Sequence, residues 1–81
     1  ALANAVLRAI VTMATESRRR EAEAVLAARR AGITATPAEI RHAVDTLLNA
    51  RQVTNPIELT DGGIIVSLTD PGAGRGRKRG K

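Results

Sequence analysis

The core of this chain must be built from aliphatic side chains and a single methionine, because the sequence contains no Phe, Tyr, Trp or Cys. Its 81 residues are enough for one domain, and a small aliphatic core predicts modest stability. The absence of Cys excludes disulfides, thiolate metal sites and a cysteine nucleophile. The absence of aromatic rings argues against single-strand readers that stack bases on aromatic side chains.

The positive charge of the sequence is concentrated at its C-terminal end. The formal net charge is +5 at pH 7, yet residues 1–70 carry equal numbers of basic and acidic side chains. Residues 71–81 read PGAGRGRKRGK, and the cations in this stretch are Arg75, Arg77, Lys78, Arg79 and Lys81. Such a segment buries too little apolar surface to offset its ordering entropy. The sequence therefore predicts a folded domain over 1–70 and a disordered basic tail over 71–81.

Two helices are predicted in the first half of the chain. Residues 1–15 have apolar side chains at helical spacing, and residues 18–31 are also helix-prone. The apolar positions of the second stretch are Ala22, Val25 and Leu26. The two apolar faces differ by roughly 140° at 100° per residue, so a break is expected, with Thr15 or Ser17 as the N-cap of the second helix. Gly32 is expected just after the end of that helix.

A third helix and a β-hairpin are predicted in the second half. Thr36-Pro37-Ala38-Glu39 places an N-cap Thr, a Pro at the first helical position and a Glu at the third, which is a capping box. Apolar side chains at helical spacing extend this helix to about Ala50. Alternating apolar residues then occur at 57–59 and 64–68, separated by Asp61-Gly62-Gly63 as the tight turn of a hairpin.

Three helices followed by a β-hairpin within 70 residues resemble the winged helix-turn-helix superfamily. Gly32-Ile33 resembles its turn, and residues 47–53 (LLNARQV) resemble the end of its recognition helix and the entry into the first wing strand. Arg51 departs from the pattern, since glycine is common at that position. The resemblance implies a fold that is mainly α with a small β-hairpin, a three-helix winged helix-turn-helix.

Two variants of this superfamily are especially similar to the chain. Residues 40–45 (IRHAVD), 47–49 and 68–70 are similar to the C-terminal winged domain of the middle subunit of replication protein A, which recruits protein partners. Gly32-Ile33 and Asn55-Pro56 are similar to the C-terminal winged domain of the MCM helicases. The resemblance implies a role in replication or transcription.

The resemblance also implies that the third helix enters the major groove of double-stranded DNA. The polar side chains there that pair with base edges are Arg41, His42, Asp45, Asn49 and Gln52. The candidates for phosphate contacts in the second predicted helix are Arg18, Arg19, Arg20, Arg29 and Arg30. The first three are expected at a helix N-terminus, where the dipole opposes them. The tail cations are a sequence-independent contact, and the alternative for all these groups is an ordinary solvated surface.

The composition of the predicted wing favours a second function. It carries Glu58 and Asp61, and no Lys or Arg lies between residues 54 and 70. A wing that contacts phosphates usually offers at least one cation. The alternative to a DNA-binding module is therefore a protein-interaction winged helix within a DNA replication or other DNA-handling assembly.

Other functions have little support in the sequence. His42 has no second His or Cys beside it, so no metal site is predicted, and no nucleophile or phosphate-binding loop indicates an enzyme or a cofactor. The Ala-rich first helix is compatible with a homodimer. No apolar run approaches a membrane span, and the expected location is cytoplasmic (nucleoid-associated) or nuclear. The first residue is Ala, which suggests a fragment of a longer parent chain.

Overall fold

The computed structural model describes residues 1–69, which form three helices and a three-stranded antiparallel sheet. In chain order the elements are α1 (Leu2–Glu16), β1 (Glu21–Glu23), α2 (Ala24–Arg30), α3 (Pro37–Asn49), β2 (Val53–Glu58) and β3 (Ile64–Leu68). The strand order is β1-β3-β2. This mixed α/β arrangement is compatible with a winged helix-turn-helix layout. The predicted tail over 71–81, with its five cations, lies outside the described residues.

The core is formed where the three helices meet the sheet. Its largest fully buried side chains are Val6, Ile10, Ile40, Val44, Val53 and Val66. Seven of the fifteen buried core residues are alanines, so each of these residues buries little apolar area. The apolar faces predicted for the first and third helices are confirmed.

The helix predicted over 18–31 is wrong in its first half. α1 ends at Glu16, and the chain turns sharply because Arg18 adopts a positive φ of 56°. The backbone N–H of Arg18 donates to the carbonyl of Thr15, and that of Arg19 donates to Ala14. This hydrogen-bond pattern terminates a helix. Ser17 is therefore the C-cap of α1, and neither Ser17 nor Thr15 caps α2.

Residues 21–23 form strand β1, which extends the predicted hairpin to a three-stranded sheet. Ala22 lies opposite Val66 of β3 and is buried. α2 begins only at Ala24, with Glu23 as its N-cap, and Leu26 is half exposed instead of contributing to the core. The physical reason is that pairing with β3, a contact distant in sequence, outweighs the local helix propensity of this stretch.

The start of α3 and the ends of α2 and α3 follow local signals in the sequence, whereas β2 begins at Val53, four residues before the predicted alternation. The capping box is confirmed, since Thr36 Oγ1 accepts the N–H of Glu39 and Glu39 Oε1 accepts the N–H of Thr36. Gly32 follows α2 with a φ of +81°, as expected. α3 ends at Asn49, and Arg51 adopts the left-handed conformation (φ 61°) that glycine usually supplies.

Candidate nucleic-acid interface

Arginines from two separate turns lie at the same end of the sheet, the end away from the hairpin turn. Strand β3 finishes there at Leu68, whose N–H donates to the carbonyl of Arg20 at 2.6 Å. The Arg20 guanidinium donates back to the Leu68 carbonyl at 3.4 Å. On the other side of β3, Thr69 donates to the carbonyl of Gln52, directly after Arg51. We call the group Arg18, Arg19, Arg20 and Arg51 the basic end.

Two of these arginines directly follow the C-terminus of a helix. Arg18 follows α1 and Arg51 follows α3, and each occupies the first position after the C-cap with a positive φ. The C-terminus of a helix carries partial negative charge, so cations there are favoured. The interpretation that Arg18, Arg19 and Arg20 begin a helix whose dipole opposes them is therefore wrong. All four side chains of the basic end are exposed.

The basic end is also where the chain leaves the sheet. Thr69 is the last described residue, and residues 70–81 follow it in the sequence with five cations. The nearest acidic side chain in the sheet register is Glu21, which pairs with Ser67 on β3. Four exposed arginines thus share one end of the sheet with Glu21, and in the sequence Asp70 precedes the five cations of the tail.

The exposed face of α3 differs from the base-reading surface that the sequence indicates. His42, Asp45 and Asn49 are exposed, as expected for a solvent-facing or groove-facing surface. Arg41 lies between this face and the hairpin, where its guanidinium is bonded to Glu58 and to the Gly62 carbonyl. The remaining charged residues of the exposed face are Glu39 and Asp45, so α3 offers carboxylates without an available guanidinium. Gln52 lies beyond α3, beside the basic end.

Arg29 and Arg30 form a separate group at the end of α2. Arg30 Nη2 lies 3.6 Å from Glu16 Oε1, and both side chains are largely exposed. Arg29 lines a concavity of about 290 Å³ between α2, the start of α3 and the hairpin turn. Arg30 therefore lies beside the last residue of α1, and Arg29 lies on the side of the hairpin turn.

The hairpin turn is fixed by carboxylates that already have partners. Asp61 Oδ1 accepts the N–H of Gly63 at 3.0 Å, and Gly62 has a φ of +93°, in agreement with the predicted tight turn. Glu23 Oε2 accepts the N–H groups of Val25 (2.9 Å) and Ile64 (2.8 Å), and its Oε1 accepts that of Leu26 (2.9 Å). The role of Glu23 is not predicted from the sequence, where the only signal is a carboxylate before an apolar run.

The alanines proposed as a dimer surface on α1 are divided between two environments. Ala9 and Ala14 belong to the core, whereas Ala1 and Ala5 are exposed. Ala5 and Ala9 line a groove of about 350 Å³ between α1 and α2. The homodimer stays a prediction.

Within residues 1–69, no group of three or more His, Asp or Glu side chains has the arrangement of a metal site. No helix in the same part of the chain has the length and apolarity needed to cross a membrane. Comparisons with models of known protein families, with curated proteins and with solved structures give no match.

Proposed function

We propose that this chain is a winged-helix module that binds double-stranded DNA through its phosphates, with the basic end and the C-terminal tail as the contact. The observation that carries the proposal is the position of the arginines around β3. Arg20 and Arg51, 31 positions apart in the sequence, lie on opposite sides of the strand end from which the chain continues into five further cations.

The chemistry of the basic end suits a phosphate backbone. A guanidinium is always charged, and its planar N–H groups pair with phosphate oxygens in a bidentate manner. Each phosphate that a cation neutralises releases counterions and contributes about −0.9 to the slope of log Kobs against log salt concentration. Binding of this type is steered by charge and is largely independent of base sequence.

Docking of α3 in the major groove has less support from the geometry. A helix that approaches DNA with Glu39 and Asp45 exposed brings two carboxylates towards the phosphates, and Arg41 is already bonded to the hairpin. In this proposal α3 therefore contributes little to the affinity of the wild-type chain. Base readout by His42, Asn49 and Gln52 remains a prediction from the sequence.

The proposal is tested by neutralising two matched sets of arginines in the full 81-residue chain. The first variant, R18Q/R19Q/R51Q, removes three charges from the basic end and leaves Arg20, which holds the Leu68 carbonyl. The second, R8Q/R29Q/R30Q, removes three exposed arginines of α1 and α2, and R8Q/R29Q is measured beside it because R30Q also frees the Glu16 carboxylate close to Arg18. Binding to a 20-base-pair duplex is measured by fluorescence anisotropy at several salt concentrations.

We expect the first variant to bind more weakly and its salt slope to become less negative by about 2 to 3, because up to three phosphate contacts are lost. The control is expected to keep a slope close to that of the wild type. Equal effects of both variants would show that only net charge matters and would reject the basic end as the contact.

The acidic surface supports a second candidate function, a protein-interaction module. Glu39, Asp45 and Asp61 are exposed on α3 and the hairpin turn, a surface suited to a basic partner segment. This function predicts that any duplex binding at low salt comes from the tail cations alone, so that R18Q/R19Q/R51Q binds as tightly as the wild type. The same anisotropy titration therefore separates the two candidates.

A further inference from the structure

We infer that the ion pair with Glu58 keeps Arg41 from binding DNA, and that Arg41 contacts a DNA phosphate once the Glu58 carboxylate is displaced. The inference rests on the proposed DNA-binding function and adds a second contact to it, at the junction between α3 and the hairpin. The latch, as we name this contact, consists of Arg41, Glu58 and the Gly62 carbonyl.

The latch is formed by side-chain hydrogen bonds between a helix and a strand. Arg41 Nη2 donates to Glu58 Oε1 at 2.5 Å, and Arg41 Nη1 donates to the Gly62 carbonyl at 3.3 Å. Both acceptors belong to the hairpin, one at the end of β2 and the other in the turn. The latch therefore directs the one Lys or Arg side chain of α3 towards the hairpin.

The ion pair is exposed enough for a phosphate to replace the carboxylate. The Arg41 side chain is 34% exposed and that of Glu58 is 65% exposed. Exposed ion pairs contribute little net stability because water screens them and their side chains lose freedom. Because Glu58 is already largely exposed, its carboxylate loses little when it leaves Arg41. The guanidinium in turn gains bidentate hydrogen bonds to the phosphate oxygens.

The charges around the latch explain why the wild-type contact stays closed at first encounter. A duplex that approaches the junction meets the carboxylates of Glu58 and Asp61 together with a guanidinium that is already neutralised. Repulsion from the two carboxylates disfavours this approach until the basic end, at the opposite end of the sheet, holds the duplex. Engagement of Arg41 is then coupled to loss of its bond with Glu58.

The inference is tested on the full chain by a double-mutant cycle with a matched control. The cycle compares the wild type with E58Q, R41Q and R41Q/E58Q for binding to the same duplex. Asp61→Asn is the control, because it removes one charge from the same hairpin yet keeps the Oδ1 acceptor for the Gly63 N–H. Glu58→Ala is a second way of opening the latch, and urea unfolding verifies that each variant is folded at the assay temperature.

We expect E58Q and E58A to bind DNA about two- to fivefold more tightly than the wild type, the range that corresponds to the strength of an exposed ion pair. The salt slope should become more negative by about 0.9, the value for one added phosphate contact. R41Q alone should weaken binding slightly, because the Glu58 carboxylate then has no counter-charge. R41Q/E58Q should lose most of the gain.

Two results would overturn the latch while leaving the proposed function intact. One is an equal gain in D61N, which would make the effect of Glu58 a general reduction of negative charge. The other is a full gain in R41Q/E58Q, which would show that Arg41 is not the group released. If neither the wild type nor any variant binds duplex DNA at low salt, the proposed function is wrong and the latch falls with it.

Discussion

The carboxylate of Glu23 accepts the backbone N–H of Ile64 at 2.8 Å, across 41 positions of the sequence. The same side chain accepts the N–H groups of Val25 and Leu26 at the start of α2. One acidic side chain thus caps the N-terminus of α2 and also binds the backbone of the first residue of β3. This double role explains why residues 21–23 are extended although the sequence around them favours a helix.

Replacing Glu23 with Ala should lower the free energy of unfolding by about 2 kcal/mol, because the N-cap and a cross-sheet acceptor are both lost. Urea denaturation monitored by circular dichroism measures the change. Glu21→Ala is the control, since Glu21 is exposed on the same short strand. A similar loss in both variants would mean that Glu23 has no special role.

Substitution of Gly63 with Ala should be destabilising through Glu23. A Cβ at Gly63 would lie 2.8 Å from Glu23 Cδ and 2.9 Å from Oε2, so the carboxylate must move away from the N–H groups it accepts. We expect a loss of about 1 to 2 kcal/mol, on the scale of one disrupted hydrogen-bond acceptor that is partly buried. The cost should become much smaller in a chain that already carries E23A. An unchanged cost would show that Glu23 is not the obstacle.

Arg51→Gly should make the protein more stable than Arg51→Ala by about 1 kcal/mol. Arg51 has a φ of 61°, a conformation that any residue with a Cβ adopts at a cost and glycine adopts freely. Both variants remove the same charge, so thermal unfolding isolates the backbone contribution. Their DNA affinities should fall equally. A more stable Ala variant would contradict the backbone explanation.

Removing a carboxylate near the basic end should tighten DNA binding, whereas removing one from α3 should not. Glu21→Gln is expected to raise the affinity about two- to threefold, because it removes the screened repulsion between the Glu21 carboxylate and the phosphates of DNA bound at the basic end. Asp45→Asn changes the net charge equally and should leave the affinity nearly unchanged. The reverse order in anisotropy titrations would instead indicate that α3 faces the DNA.

The parts of the fold that the sequence predicted are those with local signals. The capping box at Thr36 and Glu39, the glycine after α2 and the hairpin turn each depend on residues a few positions apart. Strand β1 has no local signal, because its three residues have helix propensity and become extended only when β3 is present to pair with them. A hydrogen bond that spans 41 positions leaves no periodic pattern to detect.

For the candidate site, the sequence predicted most of the basic residues but not how they are arranged in space. The sequence identified Arg18, Arg19 and Arg20 as phosphate contacts and the tail cations as their sequence-independent complement, and both remain proposals. It did not include Arg51, because the approach of two helix ends to β3 depends on the sheet register. The bond between Arg41 and Glu58 was also missed, since they are 17 positions apart on different elements.

The most direct test of the central claim is a map of where duplex DNA contacts the chain. Amide chemical shifts of the ¹⁵N-labelled 81-residue protein are followed as a 20-base-pair duplex is added. We expect the largest changes at residues 18–21, 51–53 and 68–69, with little change at His42 and Asn49 on the exposed face of α3. Changes concentrated on α3, with residues 18–21 unaffected, would contradict the account.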